Sequence, residues 1–551
     1  MTSHVVYQGP GGVPFPVDWA QAADHSKDEW RWDQVHNPTP LTPLAQDMIA
    51  IKRQGMYRGG DITGRPFHEE RMYANGYGFS RSLKGDPASD ELARKVAERD
   101  HLLRVDRIVE LWETSYRPET EALTRSLKHW AKHWATPDDT LSKLLSRYDQ
   151  VEAAWRRCGE LHTISTGLAS VAMREFDEFC NEKFGDEGTR IAVESISGMP
   201  NMSVESGKAL WELSRQVINR PSVADLIRTR TPKEFMVELD AVPEGPEFRR
   251  VLERFLEVWG QRNESYYELG FLTWNEDPDF VLSTLRTYIY TPVRQSPSSL
   301  HERAAETRLA MTQDVKSRLT DPQDFGRYLI LQSRAQQYTV LMEDHNYYID
   351  QRAYTSLRTP HQAIGARMVD GGALEHALDV FYLHVEEIKD HANHMERKYQ
   401  SLVTERRAER KSWMHVLPPV VIGGDAPLAL TTTGSSVVGR DLSKAVSVKG
   451  LPASAGTVVG TARVILSLGD SYRLSPGEIL VTYATSPPWT PLFVIAAAVV
   501  TDAGGPLAHC AVVAREYGLP AIVGTGNATS CIEDGMTIRV DGTTGIVTLE
   551  G

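Results

Sequence analysis

Cysteine is scarce in this sequence, and the few residues present are scattered. The cysteines are Cys158, Cys180, Cys510 and Cys531. Their number and spacing fit neither a disulfide framework nor a zinc site. No apolar stretch approaches the ~20 residues that span a bilayer, and the N-terminus lacks the basic and apolar regions of a signal peptide. We therefore expect a soluble, cytoplasmic protein that does not contact a membrane.

Runs of basic residues are also missing. The formal net charge is −13 at pH 7, and an acidic chain is not attracted to nucleic acid or to an anionic membrane. Hydrophobic residues make up 41% and charged residues 24% of the 551 residues. These proportions are those of a globular protein long enough for two or more domains.

Two histidine pairs have the spacing of metal ligands on one helix face, His129 with His133 and His391 with His394. Neither pair has a third ligand at a spacing that would complete a site. We interpret both pairs as non-ligand histidines and expect no metal site in the chain.

Residues 1–90 are rich in proline, glycine and aromatic residues and show no sustained helical period. We expect an extended strap that packs aromatics such as Trp30 and Trp32 on a larger domain. An aromatic-lined substrate edge is the alternative. Residues 91–419 have apolar residues at helical spacing and no alternation of period two, which predicts an all-α domain.

One predicted helix in this domain carries a stripe that ends in charged residues. The stripe consists of Leu331, Ala335, Tyr338, Met342, His345 and Ile349, and its continuation reaches Arg352. One interpretation is a hydrogen-bonded histidine and an arginine that reaches solvent. The other is the wall of a polar pocket, with Asp344, His345 and Arg352 near a bound substrate.

Residues 420–444 are small and polar, and we predict a flexible linker able to span some ~25–30 Å. Strand patterns dominate residues 445–551. We predict strands over 456–466, 478–482, 496–501, 521–524, 536–540 and 545–549, with helices near 490–496 and from His509 onward.

The stretch from Thr501 to Cys510 places His509 in the first turn of a helix that follows Gly504 and Gly505. The N-terminus of a helix favours an anionic group, and glycines let a phosphate approach the backbone closely. The pattern indicates a histidine that carries a phosphoryl group. We expect it at an open loop mouth, where its truncation removes little packing.

The strings Gly504-Gly505-Pro506-Leu507-Ala508-His509 and Ala511–Ala521 resemble the phosphohistidine swivelling domain. That domain occurs in phosphoenolpyruvate-utilising enzymes, rifampin phosphotransferases and phenylphosphate synthase. The resemblance implies a layered β/β/α fold, with His509 as the catalytic residue. It also marks Thr501, Gly504, Gly505 and Arg515 as phosphoryl-binding candidates. These enzymes usually have Ser or Thr where this chain has Ala508, so one hydroxyl is missing.

More of the chain is similar to the helical region that precedes this domain in rifampin-phosphotransferase-like proteins, at Trp259–Arg262 and Asp344–Asp350. The resemblance implies an acceptor-binding domain over 91–419. We find no nucleotide loop, and we expect no phosphoenolpyruvate-handling barrel, since the chain ends at Gly551.

The function implied is a dikinase-type phosphotransferase component. A separate ATP-grasp protein would bind ATP and Mg²⁺, and the acceptor would be a hydroxyl of a small organic molecule. Two alternatives remain open. One is a ligase that activates a carboxylate with the phosphoryl group before condensation. The other is a non-catalytic phosphohistidine sensor, which the alanine before the histidine favours.

Overall fold

The computed structural model describes residues 7–8, 14–15, 29–63, 69–82, 107–134, 140–265, 267–414, 418, 421–422 and 447–550. Its α-helices are α1 Pro43–Thr63, α2 Arg117–Trp134, α3 Leu141–Leu145, α4 Tyr148–Thr166, α5 Ala169–Phe184, α6 Gly188–Glu194, α7 Met202–Ile218, α8 Pro221–Thr229, α9 Pro232–Glu238, α10 Gly245–Trp259, α11 Asp279–Tyr288, α12 Pro297–Arg318, α13 Pro322–His345, α14 Tyr354–Ser356, α15 Arg358–Asp370, α16 Val385–His391, α17 Gln400–Trp413, α18 Thr490–Phe493, α19 His509–Tyr517 and α20 Ala528–Cys531. No described helix has both the length and the apolar character of a membrane span.

The strands are short and concentrate at the C-terminal end of the chain. They are β1 Tyr7–Gln8, β2 Pro14–Phe15, β3 Trp30–Trp32, β4 Glu69–Ala74, β5 Tyr77–Ser82, β6 Val421–Ile422, β7 Ser447–Lys449, β8 Leu451–Ser454, β9 Thr457–Val464, β10 Ile479–Thr482, β11 Ala498–Thr501, β12 Ala521–Val523, β13 Thr537–Asp541 and β14 Ile546–Leu549. A large helical region followed by a C-terminal sheet domain confirms the predicted fold class.

The chain divides into two units. The first consists of Met1–Gly167, Ser265–Phe271 and Tyr348–Gly439, and the second of Leu168–Glu264, Leu272–Tyr347 and Arg440–Gly551. The helical region predicted over 91–419 thus contributes helices to both units.

In the first unit, α1 corrects the prediction that residues 1–90 have no sustained helix. The helical period was hidden because glycines, rather than large apolar residues, face the partner helix α4. A Cβ on Gly55 would lie 1.7 Å from the Arg156 carbonyl oxygen, and one on Gly159 would lie 2.1 Å from the Lys52 carbonyl oxygen. Only glycine allows the two backbones to approach so closely.

The first unit also contains a sheet in the order β4-β5-β3-β6. Asn75 and Gly76 join β4 to β5 with φ values of 51° and 80°, as a two-residue hairpin turn requires. Trp30 and Trp32 of β3 are buried. Strand β6 is the described part of the predicted linker, and the rest of that linker lies outside the described residues.

The second unit is built on an eight-stranded sheet in the order β7-β14-β13-β9-β10-β11-β12-β8. Strands β9 to β12 pair in parallel, and the remaining pairs are antiparallel. All four residues of β10 and of β11 are buried, as their continuous apolar runs predicted. The predicted strands over 456–549 and the two predicted helices are confirmed. Strands β7 and β8 were not predicted.

Candidate active site

His509 is the first residue of α19 and follows a loop that leaves the buried strand β11. The loop turns at Gly504, where φ is +119°. Ala508 is extended and gives the helix no side-chain cap. The helix stops at Gly518, which adopts the left-handed conformation with φ 60°. The predicted order of strand, glycine loop and helix is therefore present, and His509 lies at the helix N-terminus.

The imidazole of His509 is enclosed, and its side chain is 0% exposed. Nδ1 lies 3.1 Å from Oε2 of Glu343, and Nε2 lies 3.3 Å from Oγ1 of Thr490. The Thr490 hydroxyl donates its proton to the Pro487 carbonyl oxygen at 2.8 Å, so its oxygen faces the ring as an acceptor. Each ring nitrogen therefore lies within hydrogen-bond distance of an oxygen atom.

This enclosure corrects the expectation of an open loop mouth. The side chain of His509 has no exposed surface, and the Phe493 ring lies at 71° to the imidazole plane, with the ring centroids 6.2 Å apart. Truncation to alanine would also leave Glu343 as a buried carboxylate without its imidazole partner. Such a loss costs several kcal/mol, about 3–5 in typical buried pairs, rather than the small cost of an exposed residue.

Glu343 lies in the last turn of α13 and is 1% exposed. Its Oε2 also accepts a hydrogen bond from the hydroxyl of Ser203, near the start of α7. Burial alone would raise the pKa of Glu343. The charge and hydrogen bond of His509, the Ser203 hydrogen bond and the charge of His345 outweigh burial and lower that pKa. The core therefore holds an ionised carboxylate against the predicted catalytic histidine.

Arg515 and Glu516, in the same helix as His509, are buried as well. The Arg515 guanidinium donates to the Pro506 carbonyl oxygen at 2.7 Å, so it fixes the loop from the inside. Burial lowers the pKa of Arg515 to about 10. Burial also raises the pKa of Glu516 well above its usual value, and its carboxyl accepts from the Met199 backbone N–H.

The other phosphoryl-binding candidates lie in the same loop with different surroundings. The Thr501 hydroxyl already donates to the Ala503 carbonyl oxygen at 2.8 Å, so its proton is engaged in holding the turn. A Cβ on Gly504 would meet that of Ala508 at 3.2 Å, whereas a Cβ on Gly505 would meet no described atom within 4 Å. The backbone at Gly505 is therefore open to the approach of a ligand.

The three substrate-binding candidates are divided between the two units. Asp344 and His345 belong to the second unit, next to Glu343 in α13, and Arg352 belongs to the first. Asp344 accepts from the Met202 backbone N–H at 2.9 Å and so caps α7. His345 is buried, with Nδ1 3.1 Å from the Leu341 carbonyl oxygen. Arg352 lies half-buried in a π-helical segment, Asn346–Ala353.

The described members of the two histidine pairs have different surroundings. His129 is exposed on α2. His391 is buried, with its ring against that of Tyr399 at 5.5 Å between centroids.

Sequence reasoning missed Glu343, Ser203 and Thr490. Ala335, Thr339 and Glu343 follow one another at four-residue steps and are all buried. This pattern marks the inward face of α13, but a glutamate in a helix is ordinarily exposed. The half-buried Met342 was assigned to the stripe instead.

Comparison with known proteins places two family models on this chain. Residues 161–341 match the fourth domain of rifampicin phosphotransferase. Residues 474–545, which include the glycine loop and His509, match the mobile domain of PEP-utilising enzymes, where PEP is phosphoenolpyruvate. The second matched segment contains His509, and Glu343 lies two residues beyond the end of the first.

Relatives align with much of this chain but extend well beyond it. Chondramide synthase of Chondromyces crocatus is 31% identical over 98% of this chain and 14% of its own length. Rifampicin phosphotransferase of Streptomyces sviceus is 34% identical over 64% of this chain and 40% of its own length. Prodigiosin synthesizing transferase of Serratia marcescens is 28% identical over 67% of this chain and 41% of its own length. The chain thus spans less than half the length of these relatives.

The sheet domain, the glycine loop and the helix that begins at His509 define this chain as one that carries a PEP-utilising mobile domain. The chain also carries the helical segment that matches the fourth domain of rifampicin phosphotransferase. It belongs to the PEP-utilising enzyme superfamily and resembles rifampicin phosphotransferase.

Proposed function

We propose that this chain is the acceptor-binding and phosphocarrier component of a phosphotransferase, and that His509 carries the phosphoryl group. One observation carries the proposal. His509 begins α19 directly after a glycine loop, inside the segment that matches the mobile domain. The amides at a helix N-terminus lack intrahelical partners and favour an anionic group.

The phosphoryl donor in this proposal is ATP bound with Mg²⁺ on a separate ATP-grasp protein. A lone pair of an imidazole nitrogen of His509 attacks the β-phosphorus, an N–P bond forms, and AMP leaves. The γ-phosphoryl group passes to water and is released as phosphate. An acceptor hydroxyl then attacks the phosphorus, an O–P bond forms, the N–P bond breaks, and the hydroxyl proton passes to a base. Covalent catalysis divides one difficult transfer into two steps.

The loop residues have distinct roles in this proposal. The backbone at Gly504 and Gly505 and the first amides of α19 hold the phosphoryl oxygens, because a ligand can approach Gly505. Arg515 supports the loop through its bond to the Pro506 carbonyl oxygen. Thr501 acts in the same supporting way, through its bond to Ala503.

The acceptor in this proposal is a small organic molecule with a hydroxyl group, bound by the helical region. Asp344, His345 and Arg352 are the proposed substrate-binding residues. The match of residues 161–341 to the fourth domain of rifampicin phosphotransferase supports a small-molecule acceptor.

AMP formation tests this proposal. The chain is incubated with ATP, Mg²⁺ and its ATP-grasp protein, and AMP is measured by chromatography. We expect no AMP from the chain alone, and a burst of AMP equal to the amount of chain when the partner is added. The variant His509→Gln, which keeps a polar side chain beside Glu343, is expected to give no burst. The matched control His129→Gln replaces an exposed histidine and should keep it. AMP from the chain alone, or an unchanged burst from His509→Gln, would contradict the proposal.

A condensing enzyme is the second candidate function, and the names of two relatives favour it. One is called a chondramide synthase and one a prodigiosin synthesizing transferase. Such an enzyme would use the phosphoryl group to activate a carboxylate. Detection of AMP with a phosphomonoester supports the phosphotransferase, and AMP with a condensed product supports the second candidate. A phosphohistidine that no acceptor discharges would indicate a sensor.

A further inference from the structure

The carrier histidine is held in a state that no phosphoryl donor can reach. Its side chain is 0% exposed, and acceptors from two helices occupy both ring nitrogens, at 3.1 and 3.3 Å. Neither position leaves space for a phosphorus atom with three oxygens. The structure therefore corresponds to an unphosphorylated, closed state of the second unit.

We propose that Glu343 is a positioning residue that docks unphosphorylated His509 on the helical part of the second unit, and that phosphorylation of His509 breaks this dock. The proposal rests on the proposed carrier function of His509. It extends that function by identifying Glu343 as the residue whose contact with His509 controls whether the histidine can leave its buried position.

Charge explains why the dock distinguishes the two forms of the histidine. Glu343 is buried and its pKa is lowered, so it is an anion whose Oε2 accepts a hydrogen bond from the Nδ1–H group of His509. A phosphoryl group bonded to the unprotonated ring nitrogen brings a charge of about −1.5 to −2. On Nδ1 the group would lie directly against the carboxylate. On Nε2 it would displace Thr490 and still place like charges together in a buried site, where repulsion is strong.

Other contacts also join the helical part of the second unit (residues 168–264 and 272–347) to its sheet domain (residues 447–550). Release of His509 therefore requires a change that weakens the closed state. The Tyr288 hydroxyl donates to the Pro491 carbonyl oxygen at 2.8 Å, and the Ser486 hydroxyl donates to the Glu264 carbonyl oxygen at 3.0 Å. One apolar cluster also contains residues of both parts, including Trp211, Leu492, Phe493 and Val513. These contacts favour the closed state whether or not His509 is phosphorylated. Of these contacts, only the interaction between Glu343 and His509 changes from attraction to repulsion when His509 is phosphorylated.

The first test measures how readily a small chemical donor reaches His509. Potassium phosphoramidate transfers its phosphoryl group to the ring nitrogen and releases ammonia, so no ATP-grasp partner is needed. The initial rate of His509 phosphorylation is measured by mass spectrometry at alkaline pH. We expect a rate about 10- to 100-fold higher in Glu343→Ala than in the wild type, because a charge-assisted hydrogen bond is lost. Glu343→Gln should be intermediate, and Glu343→Asp should be nearest to the wild type.

Glu306→Gln is the matched control, since Glu306 is an exposed glutamate of α12 in the same unit. Its rate should equal that of the wild type. If Glu343→Ala fails to fold, Ser203→Ala replaces it, because it removes the second hydrogen bond to the same carboxylate oxygen. A rate in the folded Glu343 or Ser203 variants within about twofold of the wild type would overturn the proposal.

The second test asks whether phosphorylation itself opens the dock. Hydrogen exchange is compared before and after phosphoramidate treatment for the segments 199–207 and 486–493. We expect faster exchange in both segments of the phosphorylated wild type. Phosphorylation of Glu343→Ala should change the exchange little, because the contact that phosphorylation breaks is already absent. Equal exchange in the two forms of the wild type would overturn the proposal.

These tests fail separately from the proposed function. Both use a chemical donor, so they report on the dock even if no ATP-grasp protein phosphorylates His509. Conversely, the AMP burst measured with His509→Gln tests the carrier role of His509, and its outcome does not depend on the role of Glu343.

Discussion

The substitution Lys52→Met is expected to destabilise the first unit by about 3–5 kcal/mol, because it leaves Asp350 as a buried charge without its main partner. Lys52 Nζ lies 2.5 Å from Asp350 Oδ1, and the two side chains are 1% and 3% exposed. Lys52 also donates to the Tyr267 hydroxyl at 2.8 Å. The Asp350 interaction raises the pKa of Lys52 despite burial, so both partners are charged.

Two further variants separate the charge from the packing. Tyr267→Phe removes one hydrogen bond to Lys52 and should cost about 1 kcal/mol. The double variant Lys52→Met with Asp350→Leu removes both charges and should recover most of the loss, because apolar residues often replace a buried pair with little cost. Lys52→Met alone should therefore be the least stable of the three.

Urea unfolding followed by hydrogen exchange of the α1 amides measures these differences in the unit that contains them. Hydrogen exchange of the α1 amides reports the opening free energy of the first unit alone. A two-state analysis of the whole chain would combine the stabilities of the two units. A loss below about 1 kcal/mol for Lys52→Met, or a double variant no more stable than the single one, would refute the reasoning that the pair is charged and buried.

Three predictions concern the site in the second unit. Ala508→Ser supplies the missing helix cap and should stabilise α19 by about 0.5–1 kcal/mol, measured by urea unfolding. Gly504→Ala forces a side chain into φ +119° and should cost about 1–3 kcal/mol, while Gly505→Ala, which has space and no positive φ, should cost less. The lowered pKa of Glu343 stabilises the fold above the unfolded value of about 4.3, and this contribution is lost as pH falls through the lower folded pKa. Glu343→Gln should therefore reduce the acid sensitivity seen in urea titrations between about pH 5 and 3; unchanged sensitivity would contradict this.

Much of the C-terminal domain was predictable because strands β10 to β12 are short, continuous apolar runs and β13 alternates buried with exposed residues. Strands β9 to β14 coincide with the predicted segments to within a few residues at each end. Strands β7 and β8 are three and four residues long, and β8 contains Pro452, which argues against a strand in sequence terms. Their pairing with β14 and β12 is set by contacts far along the chain.

The first unit shows two ways in which local patterns mislead. Helix α1 buries apolar residues in its first half, but the charges Lys52 and Arg53 and then glycines continue its packed face, so the amphipathic stripe is interrupted. The hairpin of β4 and β5 was signalled by Asn75-Gly76, the strongest short-range hairpin signal, and this signal was overlooked.

One side of the site, His509 with its loop, could be predicted from the sequence, whereas the other side, Glu343, could not. His509 and its loop are contiguous, so their chemistry is readable from one stretch. Glu343 lies 166 residues earlier in the chain, and nothing local distinguishes a glutamate that will be buried from one that will be exposed. Its role emerges only when the fold brings α13 to α19.

The position of the phosphoryl group decides whether His509 is the phosphocarrier. The chain is incubated with its ATP-grasp partner and ATP labelled at the β-phosphorus, and the label is mapped by mass spectrometry at alkaline pH, where a phosphoramidate survives. We predict label on His509 alone, and none in His509→Gln. Label on His345, or unchanged labelling and full transfer by His509→Gln, would contradict the account.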